Sequence, residues 1–266
     1  MIELVVAGAA GRMGSRLVAL ARDAADLAVA GAFEHPGHPA VGRDAGEVAG
    51  AGRLGVPIAA DPGPLLTHGR VLVEFTAPEP TLEHLRVAAA QGARAVVGTT
   101  GLSPAQVAEV GRLGGATAIL FSPNMSVGVN LAFRVLALMA RALGDDYDVE
   151  ITEIHHRMKK DAPSGTAQRM AEVVAEALGR SLDEVGVYGR HGLVGERKPK
   201  EIGVHALRGG DVVGEHTVVF STLGERLELT HRAHSRDTFA HGALRAARFV
   251  AGAAPGLYSM HDVLKV

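Results

Sequence analysis

The sequence predicts an α/β protein: a doubly wound parallel sheet domain plus a smaller α+β domain with a mixed sheet. Short apolar runs alternate with segments of helical periodicity as far as residue 126. A long apolar helix and closely spaced strands then replace this alternation. We therefore expect the first domain to end near residue 126 and a second, different domain to begin there.

The first strand–helix–strand unit occupies the first 33 residues. Ile2–Ala7 is a β-branched apolar run typical of a buried parallel strand. Helical spacing follows from about Met13 to Asp23, and Leu27–Phe33 predicts the second strand. Proline and glycine are frequent over residues 35–64, which indicates a long loop with one short strand near Val56–Ala59.

The alternation then resumes. Pro80 precedes a helix over Thr81–Gln91, and Gly92 is placed to end it. Ser103 and Gln106 form a capping-box pattern that starts another helix. Strands are expected at Val71–Phe75, Ala95–Val97 and Ala118–Phe121.

The second domain begins with an apolar helix over residues 127–143. Polar and apolar residues alternate along Tyr147–His156, which predicts a strand with one buried face. Residues 180–200 are expected to be loop. The other expected elements are a helix at Thr166–Leu178, a hairpin of Ile202–Leu207 and Val212–Phe220, a strand at Leu227–His231, and a final helix from Asp237 to about Ala251.

Composition excludes several classes of function. The chain has no cysteine, which excludes disulfides, thiolate metal sites and cysteine nucleophiles. A net charge of −2 excludes a chain-wide field that attracts nucleic acid or an anionic membrane. We find neither the basic start of a signal peptide nor an apolar run of about 18 residues. The expected setting is therefore cytoplasmic.

A glycine-rich turn follows the first strand, with the pattern G-x-x-G-x-x-G from Gly8 to Gly14. Glycines let a turn bring its amides close to a pyrophosphate at a helix N-terminus. Glu34 ends the second strand, where a carboxylate can accept a hydrogen bond from a ribose hydroxyl. A plain strand-to-helix turn is the alternative, but the strand, helix and acidic residue together favour a dinucleotide site.

Two further loops follow predicted strands, Gly98–Gly101 and Ser122–Met125. Ligands of open α/β sheets bind beyond the carboxyl ends of the strands, so both loops are candidates for contact with the cofactor. Routine turns explain them equally well.

The segment from Glu153 to Thr166 contains five basic residues among the six from His155 to Lys160. A solvated charged loop is the simplest interpretation. Nucleic-acid binding is disfavoured by the short run without aromatic residues, and a metal site by two adjacent histidines with no further ligand motif. Ser164-Gly165-Thr166 opens a helix whose free amides suit a carboxylate. Histidine and lysine beside it suit a small dianionic substrate that gains a proton.

These residues resemble the bacterial dihydrodipicolinate reductase (4-hydroxy-tetrahydrodipicolinate reductase) family of lysine and diaminopimelate synthesis. The resemblance runs nearly end to end, and EIHHRMKKDAPSGTA at 153–167 is its most specific part. The other matching stretches are VAGAAGRMG near the start, VGTTG at 97–101, SPNMSVGVN at 122–130 and GDVVGEHTVVF at 210–220.

The resemblance implies a Rossmann-like cofactor domain to which a C-terminal helix returns, and an inserted substrate domain that also builds a homotetramer. We therefore expect the cofactor domain at residues 1–126 and 236–266 and the inserted domain at residues 127–235, with no metal. His155 and Lys159 would be the catalytic proton-handling pair. His156, Lys159, Gly165 and Thr166 would hold the dicarboxylate substrate. NADH or NADPH would contact Gly8, Ala9, Ala10, Gly11, Arg12, Met13, Glu34, Gly98, Thr99, Thr100, Ser122, Pro123, Asn124 and Met125.

The cofactor preference follows from Glu34, which should repel a 2′-phosphate. The resemblance adds that members which use NADPH well often carry arginine at the next position, where this chain has His35. We therefore expect NADH to be at least as good as NADPH. Two other functions stay open: another dehydrogenase of small dicarboxylates, and a non-catalytic dinucleotide sensor.

Overall fold

The computed structural model describes all 266 residues, and the chain divides into two compact units. Unit 1 comprises residues 1–127 and 237–265; unit 2 comprises residues 128–236 together with Val266. The strands in chain order are β1 (Ile2–Ala7), β2 (Leu27–Phe33), β3 (Ile58–Ala59), β4 (Val71–Glu74), β5 (Arg94–Val97), β6 (Ala118–Phe121), β7 (Asp148–His155), β8 (Gly186–Val187), β9 (Ile202–Arg208), β10 (Gly214–Thr222), β11 (Glu225–Ala233) and β12 (Gly256–Tyr258).

The helices are α1 (Arg12–Arg22), α2 (Ala45–Val48), α3 (Pro78–Gln91), α4 (Pro104–Leu113), α5 (Val127–Leu143), α6 (Gly165–Ala177), α7 (Leu182–Val185), α8 (Asp237–Ala251) and α9 (Met260–Leu264). Six of the nine helices, α1, α3, α4, α5, α6 and α8, begin close to the expected residues, whereas α2, α7 and α9 were not expected. The capping box at Ser103 is present, because its side chain accepts from the Gln106 amide and Gln106 accepts from its amide.

Unit 1 contains a seven-stranded parallel sheet in the order β12-β6-β5-β4-β1-β2-β3. The expected doubly wound parallel sheet is therefore confirmed. β1 is central and pairs with both β2 and β4. From β1 the chain adds β2 and β3 on one side, and it then crosses to the other side of β1 to add β4, β5 and β6. Such a reversal of strand order opens a crevice at the carboxyl ends of the strands, where ligands bind.

The central strands are buried on both faces, as their continuous apolar runs predict. Leu4 and Val6 of β1 lie in one core, and Val5 and Ala7 lie in another. α8 closes the first of these cores with Ala243 and other small residues. This helix therefore belongs to unit 1, although residues 128–236 separate it in sequence from the strands that it covers.

Unit 2 contains a five-stranded mixed sheet in the order β11-β10-β7-β9-β8. The mixed sheet is confirmed, but the predicted hairpin of Ile202–Leu207 and Val212–Phe220 is wrong. β9 and β10 both pair with β7, which lies between them, in parallel and antiparallel directions respectively. The true hairpin is β10 with β11. A local turn signal marks where the chain bends, but it does not specify which strand lies beside which.

β7 shows the expected alternation. Val149 and Ile151 are buried in a core that also contains residues of α5 and α6, whereas Asp148 and Thr152 on the other face are exposed. Residues 180–200 are not all loop, because they include the short elements α7 and β8. The carboxyl-terminal tail likewise adds β12 and α9, which the sequence pattern did not reveal.

One stretch, Val127–Asp146, is long and apolar enough to cross a membrane by length and composition alone. It consists of α5 and the turn that follows it. Several of its side chains, including Phe133 and Leu136, lie in the core of unit 2. A core helix passes the same test, so the stretch is weak evidence for a membrane span.

Candidate active site

The glycine turn connects β1 to α1 at the centre of the parallel sheet. Gly8 has φ of +60°, a left-handed conformation that favours glycine. A Cβ at Gly14 would overlap the carbonyl oxygen of Gly8, so only glycine lets the first turn of α1 pack this closely. α1 begins after Gly11 without a side-chain cap, and helices leave their first amides without intrahelical partners. The turn therefore has the form of a pyrophosphate cradle.

A cavity of about 370 Å³ lies beside this turn, at the carboxyl ends of β1, β2 and β4. The Ala10 amide donates to Glu34 Oε1 at 3.0 Å, so one oxygen of the expected ribose ligand also fixes the turn. The cavity is lined by Ala7, Gly8, Gly11, Arg12, Met13, Gly14, Glu34, His38, Phe75 and Thr76. The cavity lies where ligands of such sheets bind, and its three glycines leave the backbone open to a dinucleotide.

The two other candidate loops lie at the carboxyl ends of β5 and β6, but they do not line this cavity. A Cβ at Gly98 would overlap the ring of Phe75, which does line it. Thr99 is buried, with its Oγ1 2.8 Å from that of Thr81. Met125 is also buried, in the core. The side chains of Thr99 and Met125 pack into the protein, so only the backbone atoms of these residues are placed to contact a ligand.

Glu74 lies at the end of β4 beside the cavity and is fully buried. Its Oε1 accepts from the amide and hydroxyl of Thr76 at 2.8 and 2.5 Å. Its Oε2 lies 2.7 Å from Nδ1 of His84 on α3. The His84 ring packs edge-on against Phe33, whose centroid is 4.8 Å away. Sequence reasoning missed this network, because the carboxylate is hidden in a run that indicates a buried strand.

In unit 2, the end of β7 places two side chains on the helix-covered face of the sheet. Glu153 is 1% exposed and His155 is 9% exposed. Residues two apart on a strand share a face, and Nδ1 of His155 lies 2.6 Å from Oε2 of Glu153. A Cβ at Gly214, on the adjacent β10, would lie 2.8 Å from Nε2 of His155. The glycine therefore keeps the Nε2 edge of the ring clear of a side chain.

The Glu153 carboxylate is held from two other directions. Arg208 on β9 donates to both carboxylate oxygens, at 2.8 and 3.0 Å. The Ser164 amide donates to Oε1 at 2.9 Å. Burial raises the pKa of Glu153, but the hydrogen bonds from Arg208, His155 and Ser164 outweigh it and hold the pKa below its usual value. The carboxylate is therefore ionised at neutral pH.

The loop after β7 carries Lys159, whose Nζ donates to both carboxylate oxygens of Asp161 at 2.8 and 2.9 Å. This hydrogen bond lowers the pKa of Asp161. The backbone of His156 is fixed by donation to the Val212 carbonyl at 2.7 Å. The Lys159 ammonium is therefore held by the Asp161 carboxylate, which is itself mostly exposed.

α6 begins directly after this loop, and Ser164 caps it by accepting from the Ala167 amide. A Cβ at Gly165 would meet nothing within 4 Å, so the helix start is open at that point. Thr166 follows in the first turn. The start of α6 and His155 therefore share one partner, because the Ser164 amide and Nδ1 of His155 both contact the Glu153 carboxylate.

A second buried histidine, His216, lies beside His155 with ring centroids 5.1 Å apart. Its Nε2 is 3.0 Å from Ser164 Oγ, and its Nδ1 has no partner. Burial and the nearby His155 and His231 lower the pKa of His216 to about 3, so this ring is neutral. No group of three or more histidine, aspartate or glutamate side chains is arranged to hold a metal ion.

Sequence patterns assigned no role to three residues of this site: Glu153, Arg208 and His216. Glu153 nevertheless lies inside the most specific motif, residues 153–167. The spacing of Glu153 and His155 was the available signal, because both point to one face of a strand. Arg208 and His216 gave no such signal. They reach the site through the pairing of β9 and β10 with β7, which local sequence does not reveal.

A dinucleotide-dependent oxidoreductase is the class of protein that this fold and these residues define. Two family models match the chain: the amino-terminal model of dihydrodipicolinate reductase at residues 2–125 and the carboxyl-terminal one at residues 128–264. The chain belongs to the dihydrodipicolinate reductase family. It is a 4-hydroxy-tetrahydrodipicolinate reductase, an oxidoreductase of lysine and diaminopimelate biosynthesis, and the family uses NAD(P)H.

Similar proteins carry the same activity in their names. The chain is 52% identical over 264 residues to the 4-hydroxy-tetrahydrodipicolinate reductase of Syntrophus aciditrophicus, covering 99% of this chain and 98% of that protein. It is also 52% identical to that of Citrifermentans bemidjiense, covering 99% of both. These similarities support the reductase over the other dehydrogenase and the sensor.

Solved structures share the fold. The dipicolinate-bound dihydrodipicolinate reductase from Paenisporosarcina sp. TG-14 matches with a TM-score of 0.76 and 22% identity over 97% of both chains. An amine dehydrogenase from Mycobacterium smegmatis matches with a TM-score of 0.60 and 18% identity, covering 97% of this chain and 95% of that one.

Proposed function

We propose that unit 1 binds NADH or NADPH and that unit 2 binds the dicarboxylate substrate and supplies its proton. The observation that carries this proposal is the set of contacts that link His155, Lys159 and the start of α6 in unit 2. Nδ1 of His155 and the Ser164 amide at the start of α6 both contact Glu153. Arg208 joins Glu153 to the Asp161 carbonyl, and the side chain of Asp161 pairs with Lys159. A histidine, a cation and an open helix N-terminus are the groups that a dianionic ring gaining a proton needs. The dipicolinate bound to the solved relative is itself a dicarboxylate.

The dinucleotide has a matching site in unit 1. We assign its pyrophosphate to the amides of Gly8–Met13 and its ribose to Glu34. The backbones of Gly98–Thr100 and Ser122–Met125 then lie further along the same edge of the sheet, for the remaining parts of the cofactor. When bound, the dinucleotide supplies a hydride from C4 of its nicotinamide.

The protein residues handle charge and protons. Hydride addition at the ring carbon that loses or has lost its hydroxyl moves electrons toward the ring nitrogen, and a neighbouring carbon is then protonated. We assign the proton transfer to His155 and the stabilisation of the developing negative charge to Lys159, which also contacts a substrate carboxylate. Asp161 holds Nζ of Lys159 until that carboxylate takes its place. His156, Gly165 and Thr166 complete the substrate contacts.

A coupled assay tests the proposal. The upstream synthase forms the substrate in situ from pyruvate and aspartate semialdehyde, and the fall in NADH absorbance is followed. Loss of absorbance only with all components present supports the reductase; NADH binding without turnover would point to the sensor. Lys159→Ala and His155→Ala should each lower kcat far more than they weaken NADH binding. A folded variant with unchanged kcat would overturn that residue's assignment.

We also propose that the chain works in the cytoplasm as a homotetramer assembled through unit 2, as the family resemblance implies. One face of the unit 2 sheet is covered by helices, and residues of its other face, including Thr152 and Leu207, stay exposed. Light scattering after size-exclusion chromatography should give four times the chain mass. A monomer mass would overturn the assembly without affecting the catalytic assignment.

A further inference from the structure

The hydrogen bonds of Glu153 determine the protonation of His155. An ionised carboxylate only accepts hydrogen bonds, so Nδ1 of His155 must donate to Oε2 across the 2.6 Å that separates them. In the neutral ring the proton therefore lies on Nδ1, and Nε2 carries the lone pair. The edge that Gly214 leaves clear is the Nε2 edge. The atom able to exchange a proton is thus the one beside the space that the missing side chain of Gly214 leaves.

Arg208 orders this arrangement and the lysine loop together. Its guanidinium donates to both oxygens of Glu153, which fixes the plane of the carboxylate. Its NH2 also donates to the carbonyl of Asp161 at 2.7 Å. The side chain of Asp161 in turn pairs with Lys159. One guanidinium on β9 therefore anchors the supports of both proposed catalytic residues.

We propose that Glu153 and Arg208 are positioning residues for the reduction: together they hold the proton on Nδ1 of His155, so that Nε2 takes up a proton from solvent, passes it to the substrate carbon and returns to the lone-pair state of the Nδ1–H tautomer. The inference rests on the proposed function, because it takes His155 as the residue that transfers the proton. Glu153 and Arg208 do not themselves touch the reacting atoms. They act as the acidic partner of histidine acts in hydrolase triads, where it sets the tautomer and orientation.

The geometry predicts what Glu153→Gln does. Oε1 accepts from Arg208 and the Ser164 amide, so the amide oxygen of glutamine should take that position. The amide nitrogen then takes the Oε2 position, where it donates to Nδ1 of His155 and the NH1 group of Arg208 loses its acceptor. The imidazole proton is thereby driven to Nε2, which can no longer accept a proton in the neutral ring.

Glu150 provides a matched control on the same strand. Arg190 donates to both of its oxygens at 3.0 Å, and Nε2 of His205 lies 2.7 Å away. Its surroundings thus repeat the arginine and histidine partners of Glu153, but its side chain lies on the other face of the sheet. Glu150→Gln removes a comparable ion pair on the face opposite the proposed site, and light scattering checks that its assembly matches that of the wild type.

The experiment compares the wild type, Glu153→Gln, Glu150→Gln and His155→Ala in the coupled assay. We expect Glu153→Gln to lower kcat at least about tenfold, with KM and the Kd for NADH within about twofold of the wild type. Glu150→Gln should keep kcat. In the His155→Ala background, Glu153→Gln should have no further effect on kcat.

Histidine tautomers give a readout that a merely structural ion pair would not move. Nitrogen-15 NMR of histidine-labelled protein, with the His155 signal assigned by its loss in His155→Ala, should show a proton on Nδ1 in the wild type. It should show the proton on Nε2 in Glu153→Gln. If Glu153→Gln does not fold, Arg208→Lys replaces it, with Arg190→Lys as control, and should lower kcat while the control does not.

The outcomes separate the two proposals. Loss of kcat in His155→Ala but not in Glu153→Gln, or a wild-type His155 protonated on Nε2, overturns the positioning role and leaves the proposed function intact. Full kcat in folded His155→Ala overturns the proposed function itself. Equal losses in Glu153→Gln and Glu150→Gln assign the effect to stability of the sheet and also overturn the positioning role.

Discussion

Oε2 of Glu74 lies 2.7 Å from Nδ1 of His84, behind the residues that line the cavity beside the glycine turn. The same carboxylate accepts two hydrogen bonds from Thr76, which lines that cavity. Because Glu74 is fully buried, its carboxylate depends on these donors for hydrogen bonds. Glu74 and His84 therefore fix the turn that follows β4, beside the point where the strand order reverses.

Replacing Glu74 with alanine should lower the free energy of unfolding by about 3 kcal/mol, because three donors lose a buried acceptor. The Kd for NADH should rise as well, since the Thr76 turn loses its anchor. Urea unfolding and a fluorescence titration with NADH measure the two effects. Glu79→Ala, in the first turn of α3, is the control; wild-type values in Glu74→Ala would refute this account.

Gly14→Ala should weaken NADH binding at least about tenfold and destabilise unit 1. The added methyl group would overlap the carbonyl of Gly8, so the turn must open and its amides must shift. Gly111→Ala in α4 is a suitable comparison, because its Cβ would meet only Leu257 at an ordinary 3.8 Å. That variant should be neutral or stabilised by up to about 1 kcal/mol. Calorimetric titration with NADH would show whether the two substitutions differ.

We expect the cofactor preference to depend on Glu34. We expect kcat/KM with NADH to equal or exceed that with NADPH, because the carboxylate repels a 2′-phosphate. Glu34→Gln should narrow the difference by improving use of NADPH. Its amide oxygen can still accept from the Ala10 amide, so the turn should keep its shape. A strong preference of the wild type for NADPH would contradict this interpretation of Glu34.

His216 should make the protein sensitive to acid. Its pKa is about 3 in the folded chain, below the ordinary 6.5, so folding excludes a proton that the unfolded chain binds. The stabilisation is complete above pH 6.5 and falls as the pH drops toward 3. This one group should remove about 2 kcal/mol of unfolding free energy between pH 7 and 5. Urea unfolding at both pH values should show a smaller loss for His216→Gln, and an identical loss would exclude His216 as the cause.

Local pattern was enough to predict the parallel sheet, since continuous apolar strands, helix caps and glycines each act within a few residues. It also predicted that His155, Lys159 and the start of α6 belong together, because they are close in sequence. The partners that hold them come from elsewhere. Arg208 reaches Glu153 only because β9 pairs with β7, and the turn signal after β9 suggested a different pairing.

Glu74 escaped prediction for a related reason. A carboxylate in a strand is usually taken as a solvent-facing residue, and its partner His84 is ten positions away on a different element. Burial of an ionisable group becomes visible only when the partners that satisfy it are known. Long-range hydrogen bonds to charged groups were therefore the part of this site that sequence patterns could not supply.

The return of α8 to unit 1 sets an order of events during protein synthesis. Small residues of this helix, such as Ala243 and Gly242, pack against the sheet and against the carbonyl of Met125. A growing chain that has emerged only as far as β6 still lacks this cover. The ribosome must translate residues 128–236 before the first core can close, so unit 2 has the opportunity to fold before unit 1, whose two segments flank it in sequence.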